Sequence, residues 1–196
     1  MSAQSRTAGD GTTATRRDLA TNALVLGAAA FVWFGWAQEG PPPGWSPLLA
    51  VGSGLGVVLA AVALVAMLRL KDGSAMSTRT GRRTYGITVG VELLVAVAGV
   101  VPLTITGREE FISPWILAVV GLHFIPMARL FGIRLLAVAG IVLTMIAIAA
   151  AIIGSVADVL PSAVAGGVGG LALLAFASAS LYRARSAPSR LTTGTD

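Results

Sequence analysis

Six times the chain runs for about twenty residues almost without charge: Leu19 to Ala37, Pro47 to Leu70, Thr84 to Thr106, Pro114 to Phe131, Arg134 to Ile153 and Pro161 to Tyr182. A helix rises about 1.5 Å per residue and a bilayer hydrocarbon core is about 30 Å thick, so each run is long enough to cross it. In lipid every backbone N–H and C=O must be paired within the chain, which leaves helices or a closed barrel. The runs are continuous rather than alternating, which excludes the barrel. The expected fold is therefore all-α, a six-helix transmembrane bundle over residues 19–183 built as three antiparallel helical hairpins. Residues 1–18 and 184–196 are expected as disordered cytoplasmic tails. Composition agrees: 55% of residues are hydrophobic and 12% charged, against about 25% charged in a soluble domain.

Orientation follows from the arginines. Arg6, Arg16 and Arg17 precede the first run, Arg69, Lys71, Arg79, Arg82 and Arg83 lie between the second and third, Arg129 and Arg134 bracket the turn between the fourth and fifth, and Arg183, Arg185 and Arg190 follow the sixth. Thirteen basic residues thus fall on one side and Arg108 alone on the other. The positive-inside rule places both termini in the cytoplasm. Merging or splitting one run would scramble this bias, so it also checks the count of spans. Basic residues spaced between apolar runs point to membrane orientation and away from nucleic acid. An arginine-, alanine- and glycine-rich composition suits a GC-rich bacterial genome, and the expected location is the bacterial plasma membrane.

The opposite side carries Glu39, Glu109, Glu110 and Asp158, with Trp33, Trp36, Trp45, Phe111 and Trp115 near the boundary, as interfacial aromatics are. Spans two, four and six open on Pro47, Pro114 and Pro161, where a missing N–H costs nothing. The likeness of Ser46-Pro47-Leu48-Leu49 to Ser113-Pro114-Trp115-Ile116 fits either convergent capping or an old hairpin repeat. Thr15-Arg16-Arg17-Asp18-Leu19 resembles a twin-arginine signal with Gly35-Trp36-Ala37 as a cleavage site. Five further spans favour a retained first helix. Small residues mark close helix approach: Gly52, Ser53, Gly54 and Gly56 in span two, and Gly166, Gly167, Gly169 and Gly170 in span six. Packing within the chain is the expected use, with a homodimer as the alternative.

Two strongly ionisable side chains lie well inside spans, Glu92 and His123, the latter the single histidine. A charge at mid-bilayer costs about 2.5–3.5 kcal/mol, so such groups face the protein interior and usually carry function. Glu92 lies nine residues beyond Arg83 and His123 six short of Arg129, depths of roughly 13 and 9 Å from the same edge. On consecutive antiparallel helices they should meet. Tyr85 and Thr88 share the helical face of Glu92 and could relay a proton toward the cytoplasm. Pro126 cannot donate to the carbonyl of Leu122, which frees an acceptor near His123 and should kink the helix. Asn22 is a third polar candidate, or an N-terminal cap. A plain Glu–His clasp locking spans three and four is the structural alternative.

The segment VGLHFIPMARLF resembles one in uncharacterised small bacterial multispan membrane proteins that carry a His-Phe-x-Pro-Leu/Met-Ala run in a mid-chain helix. His123, Phe124, Pro126 and Ala128 carry the likeness, which brings no activity with it. The chain has no cysteine, so thiol chemistry is excluded, and one histidine excludes an all-histidine metal site within a single chain. No cofactor is expected. An apolar interior suits an isoprenoid or lipid better than a sugar or nucleotide. Three classes stay open: a membrane-embedded acid/base enzyme of lyase or isomerase type using Glu92 and His123, for instance in protonation-initiated cyclisation; a proton-coupled exporter of a lipophilic compound; and a non-catalytic accessory subunit. The expected partners are the lipid bilayer and an apolar small molecule.

Overall fold

The computed structural model describes residues 14–70 and 79–186. Among them the chain forms α1 (Arg16–Trp36), α2 (Ser46–Arg69), α3 (Arg79–Ile105), α4 (Ile112–Phe131), α5 (Arg134–Val156) and α6 (Pro161–Ser186). All six are long and apolar enough to cross a membrane, and no strand occurs among the described residues. Single 3-10 turns, Ala37–Glu39 and Glu109–Phe111, follow α1 and precede α4.

The helices overrun the apolar runs, and their ends explain why. α1 starts at Arg16 because Thr15 and Asp18 form a capping box: Thr15 Oγ1 accepts from the Asp18 amide at 3.0 Å while the Asp18 carboxylate faces the Thr15 amide. Asp18 is buried there, a negative charge at the positive end of a helix dipole. At the far end of the chain α6 continues to Ser186, and the Arg16 Nε donates to the Ala184 carbonyl at 3.0 Å. Last-turn carbonyls have no partner inside their own helix, so this bond closes one of them. Residues 14–18 and 184–186 therefore belong to the bundle rather than to tails. The rest of both tails, with Arg6 and Arg190, and Lys71 in the second connection, lies outside the described residues. Pro47, Pro114 and Pro161 all fall in the first turn of their helices. Between α4 and α5 only Gly132 and Ile133 intervene. Gly132 takes the left-handed conformation, φ 65°, which ends α4 and turns the chain back.

Small residues set the packing. α1 lies between α2 and α6. The Phe34 ring, 2% exposed, sits in a slot between Gly52 of α2 and Gly170 of α6, where a Cβ on either glycine would reach within 3 Å of it. Gly27 and Gly56 let the α1 and α2 backbones touch, and Gly166 lies against the Trp33 carbonyl and Ala37. Gly121 and Gly140 do the same for α4 and α5. The glycine faces of spans two and six thus serve packing within the chain. Gly54 is the exception, with open space around it.

α3 is the loosest element. Its substantial helix contact is with α4 alone, and no residue of its most apolar stretch is fully buried. Trp115 of α4 holds it: the indole Nε1 donates to the Ala96 carbonyl at 3.1 Å, and the ring lies over Gly99 with no room for a side chain there. Trp115 lies in the first turn of α4, and its N–H is spent on a neighbouring helix. A Trp115→Phe change removes one interhelical hydrogen bond, a loss of about 0.6–1.7 kcal/mol. Hydrogen exchange should accelerate in α3 peptides while those of α1 and α6 stay protected. Equal acceleration in all six helices would show that α3 is integral to the core.

Candidate functional site

Glu92 of α3 and His123 of α4 touch. His123 Nδ1 lies 3.2 Å from Glu92 Oε2, with the imidazole 9% and the carboxylate side chain 21% exposed. The distance is that of an ion pair, but the alignment is not that of a hydrogen bond, and the buried Nδ1 has no hydrogen-bond partner. Such bonds weaken steeply below about 120°. The pair is therefore closed in distance and open in angle.

His123 also lines a cavity of about 200 Å³. Asp18, Thr21 and Asn22 of α1 and Tyr85 of α3 supply its other polar walls, while Leu26, Phe124, Met127 and Leu136 are among the apolar ones. Glu92 is not a wall; it touches His123, which is. α1 and α3, which flank the cavity, do not pack substantially against each other.

The remaining candidates divide. Tyr85 and Asn22 meet at the cavity with His123. Asn22 is not a cap, since Thr15 holds that position; its Nδ2 donates to Ser180 Oγ at 2.9 Å, tying α1 to the fully buried hydroxyl of α6. Thr88 does not serve Glu92. Its hydroxyl donates to the Thr84 carbonyl at 2.8 Å, one turn back on its own helix, and no hydrogen bond joins Tyr85 or Thr88 to Glu92 among the described residues. The expected relay along that face is not made. Pro126 is exposed and outside the cavity, and α4 stays helical through it. The reason is helical rotation. At 100° per residue, Met127 lies about 40° from His123 on the inner side and Pro126 about 60° away on the outer. The backbone partner expected for the imidazole is not taken at Nδ1.

Asp18 and Thr21 were not singled out from the sequence. The signal was there: Thr15-x-x-Asp18 is a capping box directly before an apolar run, which fixes Asp18 in the first turn of α1 and so at the arginine-bearing end with His123. Among the described residues no group of three or more His, Asp or Glu side chains could hold a metal ion. No protein-family model matches the chain, and no curated protein or solved structure matches it significantly.

Proposed function

We propose that the chain is a six-pass protein of a bacterial plasma membrane, folded as three antiparallel hairpins with both termini cytoplasmic, that carries out acid/base chemistry on an apolar substrate of isoprenoid or lipid type. The orientation rests on the thirteen basic residues assigned to one side against Arg108 on the other. The chemistry rests on one observation: an imidazole nine-tenths buried meets a carboxylate on one side and a largely apolar cavity on the other. A carboxyl group in contact with an imidazole can hand it a proton or take one back, and general acid/base groups of this kind contribute about 10²- to 10⁴-fold to rate.

His123 is the group of the pair that would meet the substrate, and Glu92 the one that sets its proton state. The cavity is smaller than the 300–1,000 Å³ usual for a small-molecule site. A prenyl or acyl chain would place its reacting end there and leave the rest in lipid, entering through the gap between α1 and α3. Protonation of an alkene carbon followed by proton loss from a neighbouring carbon, with or without ring closure, changes no oxidation state and returns the site to its starting form. Such a reaction needs no cofactor.

The test reads the proton directly. Protein reconstituted in vesicles of total bacterial lipid is incubated in D2O, and the neutral lipids are resolved by mass. A species one mass unit heavier, with one hydrogen replaced by deuterium, formed by wild type and at least a hundredfold less by Glu92→Gln and His123→Phe, is the expected result. Identical lipid profiles for wild type and both variants would remove the enzymatic reading. Dye-reported proton uptake without chemical change would identify a proton-coupled carrier in its place.

A further inference from the structure

We propose that the groove between α2 and α6 binds one anionic phospholipid, its phosphate held by Arg16, Arg69 and Arg185. These three side chains, from the ends of α1, α2 and α6, line a cleft of about 540 Å³ whose other walls, Val62 and Val65 among them, are almost wholly apolar. A second cleft of about 450 Å³ shares Val62 and Arg185 with the first and runs on between α2 and α6 to Leu55 and Leu174. The two are one groove, with guanidinium groups at its mouth and an aliphatic wall below.

Its dimensions match a lipid rather than a soluble anion. Leu174 and Arg185 are eleven residues apart on α6, about 16 Å along the axis. Half of a 30 Å hydrocarbon core is about 15 Å, so the groove is as deep as one leaflet. A free phosphate would use the mouth and leave the wall empty; a zwitterionic lipid would set its own ammonium among three cations.

The arginines are available for this role. Arg16 is anchored by its Nε bond to the Ala184 carbonyl, which leaves the four N–H groups of its terminal nitrogens for a ligand. Among the described residues no carboxylate pairs with Arg16, Arg69 or Arg185. Basic pockets between transmembrane helices at the cytoplasmic surface are where anionic headgroups bind. A second arginine set, Arg129, Arg134 and Arg183, lines a different cleft at the α4–α5 turn. It carries the same charge and so controls for unspecific attraction. None of this depends on the Glu92–His123 chemistry.

Native mass spectrometry of the full-length protein, released from detergent with dioleoyl phosphatidylglycerol or dioleoyl phosphatidylcholine, decides the matter. One phosphatidylglycerol should be retained at least tenfold more tightly than phosphatidylcholine. At roughly fivefold per arginine near the surface, Arg69→Gln/Arg185→Gln should weaken it about thirtyfold. Val62→Trp, which fills the groove without touching charge, should weaken it at least tenfold, and Arg129→Gln/Arg183→Gln less than threefold. Equal losses in the two arginine pairs, or full retention in Val62→Trp with displacement by millimolar inorganic phosphate, would overturn the proposal.

Discussion

Gly166→Leu lowers the melting temperature of the detergent-solubilised protein by roughly 10 °C, or prevents the protein from accumulating, while Gly54→Leu leaves it within about 2 °C. The two glycines look alike in sequence, each within a small-residue patch of an apolar helix. What separates them is the material a new Cβ would meet. At Gly166 it would lie 2.5 Å from the Trp33 carbonyl and 2.7 Å from the Ala37 methyl. One is α1 backbone and the other the Cβ of Ala37, the residue that caps α1, so no rotamer change clears them and the helix itself must move. α1 cannot move alone, because Phe34 is locked between Gly52 and Gly170 one turn further along. Overpacking in a rigid core costs about 1–3 kcal/mol where side chains can yield and more where they cannot. In lipid the loss is compounded: helix association draws on close packing rather than on exclusion of water, so a wedge removes the force that holds α1 to α6. At Gly54 nothing lies within 4 Å, and a leucine there only adds apolar surface. Comparable melting of both variants would show that α1 and α6 are held by something other than backbone approach.

The same contrast shows what the sequence could and could not disclose. The existence, order and approximate ends of six helices follow from run length, because backbone pairing in lipid leaves one solution for an unbroken apolar stretch. The meeting of Glu92 and His123 was legible for a similar reason. Rise per residue is fixed, so counting from Arg83 and Arg129 gives depth, and adjacent helices give proximity. What failed was rotational. Thr88 shares a face with Glu92, yet its hydroxyl bonds back to Thr84, the usual resort of a threonine in a helix without a better acceptor. Pro126 lies three residues from His123, but a 60° difference in direction puts one at the protein interior and the other at the surface. Asp18 was hidden by its position just ahead of the apolar run, where a charge reads as a flank; burial came from a capping box that lengthened α1 by a turn. Which glycines pack and which face outward depends on the pairing of non-consecutive helices such as α1 with α6, and no local pattern encodes that.

Glu92→Gln should cost no more than about 1 kcal/mol of stability, a shift of roughly 2–4 °C in melting, while abolishing the deuterium incorporation described above. The two effects are tied to one geometry. A clasp that holds helices together must be a satisfied one: breaking a buried, well-bonded ion pair from one side strands the other charge and costs about 3–5 kcal/mol. The Glu92–His123 contact is not of that kind. It has ion-pair distance without hydrogen-bond alignment, and it joins α4 to the helix that packs least. Interhelical polar contacts in membranes average about 0.6 kcal/mol even when well aligned. Glutamine keeps the size and polarity of the side chain and removes only its capacity to exchange a proton, so packing is spared and chemistry is not. His123→Phe, which preserves a ring against Phe124 and the cavity wall, should behave likewise. The double variant should be no less stable than the sum of the singles allows, since a pair that contributes little has little coupling to lose. Should either single variant instead melt more than 10 °C below wild type, with the double variant recovering most of that loss, the two side chains would be a structural fastening. The imidazole at the cavity wall would then be there to hold α3, not to move protons.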